Sequence, residues 1–238
     1  MKTHSFAAMN RLFATIAADL RLQLRNGFYA ATGFVLAVTG ALALFAAQQF
    51  DLGWLLPLVV LNNLMITAFY FIAALVLLEK AEGSLQARAV TPLRPSEYVW
   101  AKVATLVLLS LAHNLLFALL LRGMGLNVVL LAAGVVVATA QLTLVGFAAV
   151  ARYDALNTYL FPSLPVAAAL MFPLLPYTLG WEHPLLYLHP LQAPFELMRA
   201  AVMPRPIWRI GYGFVYGVFW IGVMFVLARR AWRHVQAT

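Results

Sequence analysis

Cysteine is absent from the sequence and charge is scarce. Without a thiol there is no disulfide, no thiolate metal site and no cysteine nucleophile. Charged residues make up 10% of the 238 and hydrophobic ones 64%, whereas a water-soluble domain needs about a quarter of its residues charged to cover its surface. A soluble globule is excluded, and lipid is the solvent for most of the chain. Acid is the rarer sign, with 8 Asp and Glu against 16 Lys and Arg. Catalytic signatures are missing too: there is no G-x-x-x-x-G-K-[ST] phosphate loop, no G-x-S-x-G and no H-E-x-x-H. His183 and His189, six apart among prolines, fit neither one helical face nor a zinc spacing. No catalytic residue and no metal site is expected.

What the chain does have is uninterrupted apolar sequence. Six stretches, 26–50, 52–78, 103–121, 123–151, 155–181 and 210–228, hold no charged residue and run to 25, 27, 19, 29, 27 and 19 residues. Each exceeds the roughly 18 residues that cross hydrocarbon as a helix, and none alternates in polarity as a barrel strand must. The expected fold is all-α, a polytopic integral membrane protein with six transmembrane helices near 28–47, 54–78, 103–121, 128–151, 159–179 and 210–228. Twelve Lys and Arg fall on one side of such a bundle and four, Arg122, Arg199, Arg205 and Arg209, on the other. Basic loops stay cytoplasmic, so both termini are expected inside, with the chain in the bacterial inner membrane and its excess charge of +8 facing anionic lipid or a cytoplasmic partner rather than nucleic acid. Asn10, Arg11 and Asp19 interrupt any apolar core that a cleaved signal would need.

The expected layout has two parts, an amino-terminal segment 1–27 and a permease-like membrane domain 28–238. In the first, Phe6, Met9, Phe13, Ile16, Leu20 and Leu24 recur at helical spacing with Arg11, Thr15, Asp19 and Arg25 opposite, which predicts an amphipathic helix in the membrane surface. Residues 79–102 form the longest polar segment inside the chain, with Ser96 placed to cap the third span and Pro95 stopping what precedes it. Pro162, Pro165, Pro173 and Pro176 predict a broken fifth span. From 180 to 209 an apolar, proline-punctuated outer segment, with Leu191, Phe195, Met198 and Val202 at helical spacing, predicts a short re-entrant helix shielded by its neighbours.

Polar side chains within the spans need partners or water. Asn62, Asn63, Thr67, His113 and Asn114 are the candidates for a translocation path between two copies of the chain. Such a path offers amides and aromatics but no fixed charge, which suits an amphipathic, drug-like or lipid-like substrate. All eight acids lie outside the six stretches, leaving His113 as the one residue there that could carry a transported proton. With no energy-coupling acid and no soluble domain, a pump of this kind needs outside energy delivered through the polar connection 79–102. Two rival readings are a gradient-driven secondary transporter titrating His113 and a scaffold that recruits a cytoplasmic partner and transports nothing.

Glu79-Lys80-Ala81-Glu82-Gly83-Ser84-Leu85-Gln86, then Val90-Thr91-Pro92-Leu93-Arg94, then Glu97-Tyr98 with Lys102, resembles the E-x-x-x-G-[ST]-L-[EQ] … [TS]-P-L … E-[YF] … K signature after the second helix of type-2 ATP-binding cassette permeases. Among these the chain is most similar to the fluoroquinolone-export permease group, and the likeness extends to the order of its segments. The resemblance implies a half-transporter: two permeases, identical or sister chains, over two cytoplasmic ATPase subunits, with alternating access driven by ATP. ATP and Mg would sit on the ATPase, with no cofactor on this chain and no hydrolysis by it. Residues 79–95 would be the coupling region, with Glu79, Glu82, Gly83, Leu85, Gln86, Arg88, Thr91 and Pro92 at its matching positions. The 6–25 helix would be the surface connecting helix. The second and fifth spans would line the path, bringing Asn62, Asn63 and Thr67 to it and giving the proline-broken span a hinge role.

Overall fold

The computed structural model describes residues 2–85, 93–123 and 125–236, which are mostly helical, and no strand occurs among them. The helices are α1 (Lys2–Arg25), α2 (Phe28–Ala46), α3 (Leu52–Leu64), α4 (Phe71–Ala81), α5 (Pro95–Arg122), α6 (Val128–Val150), α7 (Leu156–Leu170), α8 (Leu174–Thr178), α9 (Gln192–Val202) and α10 (Ile207–Gln236). A π-helical turn, Met65–Tyr70, joins α3 to α4 so that they run as one rod, and a 3-10 turn, Pro184–Leu188, precedes α9.

Five of these rods are long and apolar enough to cross a membrane: Phe28–Ala46, Gly53–Ala81, Pro95–Arg122, Val128–Val150 and Ile207–Trp232. The expected sixth is divided. Pro162 and Pro165 lie inside α7, which stops at Leu170, and α8 resumes behind Pro173. The proline spacing thus produces a broken element, each half too short to span alone.

Helix starts follow local chemistry. The Asp51 carboxylate accepts from the Trp54 backbone N–H at 2.9 Å, and the Asn127 side chain accepts from Leu130 N–H at 3.1 Å, each satisfying a donor that the first turn cannot pair. The third span differs from the expectation. It begins at Pro95 rather than near residue 103, and Ser96 does not cap it: Arg94 is the N-cap, and the Glu97 carboxylate reaches back to the Arg94 N–H at 2.9 Å. Proline at the first helical position has no N–H to leave unsatisfied, so it starts this helix instead of ending another. The polar connection is correspondingly shorter than 79–102, since residues 79–81 finish α4 and 95–102 open α5.

Helix α6 is the hub. It packs on α5, α9, α10 and the α3–α4 rod, and its small residues allow close approach. A Cβ on Gly146 would stand 2.8 Å from the Phe69 carbonyl oxygen and 2.6 Å from Ile72 Cγ2, so the π turn sits directly against the α6 backbone. By contrast α2 and α10 leave Phe34, Leu42, Phe45, Val215 and Phe219 exposed, as lipid-facing surfaces require. Helix α9 is buried along most of its length between α6 and α10, which is the shielded short helix expected of the outer segment.

Helix α1 differs from a simple surface anchor in what its polar arc meets, protein in place of water. Its polar arc, Thr15, Asp19 and Gln23, faces the bundle, while Phe13 and Leu24 are more than 60% exposed. The apolar arc is left for lipid and the polar one for protein.

Replacing Gly146 by leucine is expected to lower the melting temperature in detergent, with an overpacking cost of about 1–3 kcal/mol. Gly40→Ala, where nothing lies within 4 Å of the new methyl, is expected to leave it unchanged or slightly raised. Equal melting of the two variants would contradict the close α6–π contact.

Candidate functional site

The end of the bundle that carries both termini is organised around Lys102. This lysine lies on a stripe of α5 with Val99, Val103 and Leu106, all buried, so its stem is packed and its ammonium needs anionic partners. It has two: Nζ is 2.8 Å from Asp19 Oδ1 on α1 and 2.7 Å from Glu79 Oε1 on α4. The Tyr98 hydroxyl, one helical turn before Lys102, donates to Glu79 Oε2 at 2.5 Å. All four residues have no measurable exposure. The Tyr98 ring also packs against Trp232 of α10, tilted by 47° with 4.4 Å between centroids. A single point therefore joins α1, α4, α5 and α10.

Shorter-range ties surround it. Arg11 pairs with Glu97 at 3.0 Å, joining α1 to the first turn of α5. Lys80 donates to the Ala151 and Tyr153 carbonyls and to Asp154, closing the C-terminal end of α6 with a positive charge where the helix dipole favours one. Arg25 pairs with Glu82 at 2.9 Å across exposed surface.

Of the expected coupling positions, Glu82 and Gly83 are exposed. Gly83 has φ +68°, a left-handed conformation that ends α4 and that L side chains avoid. Leu85 is buried. Glu79 is also buried, inside the Lys102 network, so it holds the root of the connection and meets no partner surface in this conformation. Gln86, Arg88, Thr91 and Pro92 lie outside the described residues. Glu79 further corrects the expectation that every acid lies beyond the spans, because α4 carries it inside the apolar rod.

The expected path residues divide into three places. Asn63, Thr67 and Asn114 lie on a buried seam between the α3–π rod and α5: the Thr67 hydroxyl is 3.1 Å from Ser110 Oγ, and Asn114 donates to the Ser110 carbonyl at 2.9 Å. The Asn63 amide finds no partner among the described residues. His113, 3% exposed, turns away toward α2, against the Thr32 backbone. Asn62 points outward, into an apolar groove of about 320 Å³ between α2 and α3 that Thr39, Leu58 and Leu174 also line.

At the opposite end lies a second charge cluster, built by the outer segment. Glu196 on α9 accepts from Arg199 at 2.6 Å and from Gln192 at 3.0 Å. Glu182 is reached by Arg199 at 3.1 Å, Arg209 at 2.9 Å and Arg205 at 3.4 Å. The Arg209 guanidinium beside Glu182, helped by Arg199, holds that carboxyl far below its ordinary range, at about 2. His189 and His183 cap turns: their Nδ1 atoms accept from Leu191 and Leu185 N–H groups, and burial pushes the His189 pKa down. The basic residues of this cluster were counted for sidedness, but their convergence was missed. The signal was present, since three of the four sparse arginines flank the proline-rich segment that also holds Glu182 and Glu196.

A profile of the Fluoroquinolones export permease protein family matches residues 10–237. Two relatives, both called fluoroquinolones export permease proteins and both from Mycobacterium tuberculosis (strains CDC 1551 / Oshkosh and ATCC 25618 / H37Rv), are each 32% identical over 215 residues, covering 88% of this chain and 90% of the relative. The match runs through both charge clusters and through every expected site residue.

Two outcomes follow. Lys102→Met is expected to destabilise by about 3–5 kcal/mol, because it strands two carboxylates in a dry site. The triple variant Asp19→Asn, Glu79→Gln, Lys102→Met is expected to melt above the single one. A triple variant that melts at or below Lys102→Met would rule out charge compensation. For Glu182 the folded pKa is depressed, so its contribution is present above the unfolded value near 4.5 and is lost as pH falls toward 2. The melting difference between wild type and Glu182→Gln is expected to stay constant from pH 8 to about 5.5 and to shrink below about 4.5.

Proposed function

The chain belongs to the Fluoroquinolones export permease protein family, and from that premise we propose that it is the membrane-embedded transport subunit of an ATP-driven exporter. Two such permeases, identical or sister chains, pair over two ATPase subunits that carry ATP and Mg. The route crosses the cytoplasmic membrane as six spans, with α7 and α8 acting together as the fifth and both termini inside. Residues 1–27 serve as a connecting helix on the membrane surface and 79–95 as the coupling region. The cargo is an amphipathic drug of the fluoroquinolone kind, as the relatives' names indicate for them.

The observation that supports this reading is the Lys102 network. The connection between α4 and α5 is rooted in Glu79, and Glu79 is bonded to α5 and, through Lys102, to α1. A push on the exposed Glu82–Gly83 turn is then passed to three helices at once and does not dissipate in one flexible end. Tight helix packing carries it onward, because close-packed interiors transmit strain. Asn63, Thr67 and Asn114 lie farther along the same α3 and α5 rods, where a change of helix angle would open the seam to cargo. The gradient-driven rival needs His113 to exchange protons with water, and its near-complete burial gives that reading no support.

The test co-expresses the chain with candidate ATPases and measures stimulated ATP hydrolysis by the purified complex. Wild type is expected to stimulate. Glu82→Ala with Gly83→Ala is expected to reduce stimulation about tenfold or more while the permease still folds, since Gly83→Ala at positive φ costs only about 1 kcal/mol. Recovery of the chain alone, with no ATPase stimulated, would contradict the proposal.

A further inference from the structure

The break between α7 and α8 leaves a carbonyl without its helical donor. In an unbroken helix the Ala169 oxygen accepts from the N–H of residue 173, but residue 173 is proline and has none. The chain supplies two substitutes, the Phe172 N–H at 3.2 Å in a tightened turn and the Nε2 atom of His189 at 3.0 Å. His189 itself belongs to the start of α9. Its Nδ1 atom accepts from the Leu191 N–H at 3.2 Å and its carbonyl from the Gln192 N–H at 3.1 Å, so it closes the entry of that helix. A ring nitrogen that accepts carries no proton. The neutral ring therefore has its hydrogen on Nε2, where the Ala169 carbonyl needs a donor. One imidazole joins the two elements, and it does so only while neutral.

The tie matters because α7 is lightly held: Tyr159, Ser163 and Leu170 alone are buried along it. Nothing around the ring favours an added charge. The stretch 155–181 holds no charged residue, and the Phe172 ring lies beside the imidazole with 6.4 Å between centroids. On α9 Glu196 is taken by Arg199 and Gln192. Glu182 is held by Arg199, Arg205 and Arg209, and His183 caps its own turn. From α10 the Tyr212 and Tyr216 hydroxyls donate to the Tyr187 and Leu188 carbonyls. No carboxylate pairs with the ring among the described residues, and burial lowers its pKa. The ring is nevertheless partly exposed, so protons from the adjoining water reach it. A cavity of about 200 Å³, with Pro173, Leu186, Gln192 and Arg199 in its lining, adjoins these bonds and leaves room for the elements to part.

We propose that His189 is a proton-operated latch between the α7–α8 break and α9. Neutral, it holds the Ala169 carbonyl and the Leu191 N–H through one ring. When a proton from water adds to Nδ1, a donor faces the Leu191 donor, that bond is lost, and the start of α9 separates from the end of α7. The latch is formed by one chain and needs no ATP, second permease or coupling region, so its failure is separate from a failure of ATP coupling.

The test uses the purified chain in detergent. The sequence has no cysteine, so labels attach only where one is introduced. Spin labels on Phe161→Cys of α7 and Leu188→Cys beside His189, both exposed positions, report by pulsed EPR the distance between the two elements as the pH is lowered. One short distance is expected at neutral and higher pH. On acidification a longer one is expected to replace it, the ratio changing by up to about tenfold per pH unit around a midpoint below about 6.5. Nitrogen NMR of the chain with isotope-labelled histidines, the His189 signal assigned by replacing each of the other histidines in turn, is expected to show the proton on Nε2 and a titration at the same midpoint. His189→Phe keeps a ring but neither bond, and is expected to give the longer distance at every pH. An unchanging wild-type distance, a neutral ring protonated on Nδ1, midpoints that do not coincide, or a pH response that survives in His189→Phe would each overturn the proposal. The wild-type distance and the tautomer decide by themselves if His189→Phe does not fold.

Discussion

The ammonium of Lys102 is withdrawn from water and shared by Asp19 at 2.8 Å and Glu79 at 2.7 Å, and the geometry of the whole terminal end depends on that sharing. Taking such ions out of water costs several kcal/mol each, so a buried pair adds little net stability even when its geometry is good. What it adds is position. An apolar contact between α1 and α5 tolerates sliding by part of a turn, whereas a three-way charge contact loses most of its attraction when one partner shifts and leaves another ion unpaired. The steepness of that penalty makes α1, α4 and α5 behave as one piece. Tyr98 extends the piece to α10 through Trp232, and Lys80 fastens the end of α6 beside it.

That rigidity contrasts with the middle of the bundle. Around Asn63, Thr67 and Asn114 the hydrogen bonds are neutral, and the Asn63 amide and Asn114 Oδ1 have no partner among the described residues. A neutral bond contributes about 0.5–1.5 kcal/mol, less than a hydrogen bond to a charged group. The π turn lies in this same region, where one extra residue per turn loosens the rod. Broken α7–α8 stands nearby: the Tyr153 and Tyr159 rings meet in a T, and Tyr159 also touches Phe69 of the π turn.

How much of this could be read from residues alone differs by feature. The spans were legible because lipid imposes a length and a polarity that no tertiary contact can override. The break in the fifth span was legible because proline lacks a donor wherever it falls. The start of α5 was misjudged: Ser96 is a good cap by type, but the N-cap is Arg94, two residues earlier, where Glu97 accepts from the Arg94 N–H and Pro95 has no N–H to satisfy, and hydropathy is blind to a helix that continues beyond the hydrocarbon. Asp19 and Lys102 were counted as surface charge. Their spacing held a signal, since Asp19 stands four residues from both Thr15 and Gln23, and Lys102 lies three after Val99 and four before Leu106 on a helix that starts at Pro95. A charged residue on the buried register of a helix calls for an opposite charge on a neighbour, and Glu79 was the acid available.

The two ends of the molecule use the same side chains to different effect. At the terminal end the lysine is enclosed by acids and a phenol, and every described contact is short. At the outer end the guanidinium groups outnumber the carboxylates around them, their planar faces are stacked on rings, and space remains beside them. Arginine suits the second role because it keeps its charge when half-buried, presents a rigid fork of donors and layers on aromatic faces, whereas lysine concentrates its charge at one point and is more easily enclosed. Exchanging the two residue types between the ends would weaken both: a guanidinium has too many donors for the Asp19–Glu79 niche, and an ammonium could not both hold Glu182 and keep an edge turned toward the cavity. Lys102 is thus enclosed within one cluster, where it fixes helices, and Arg199 stands at the wall of the other, with space beside it.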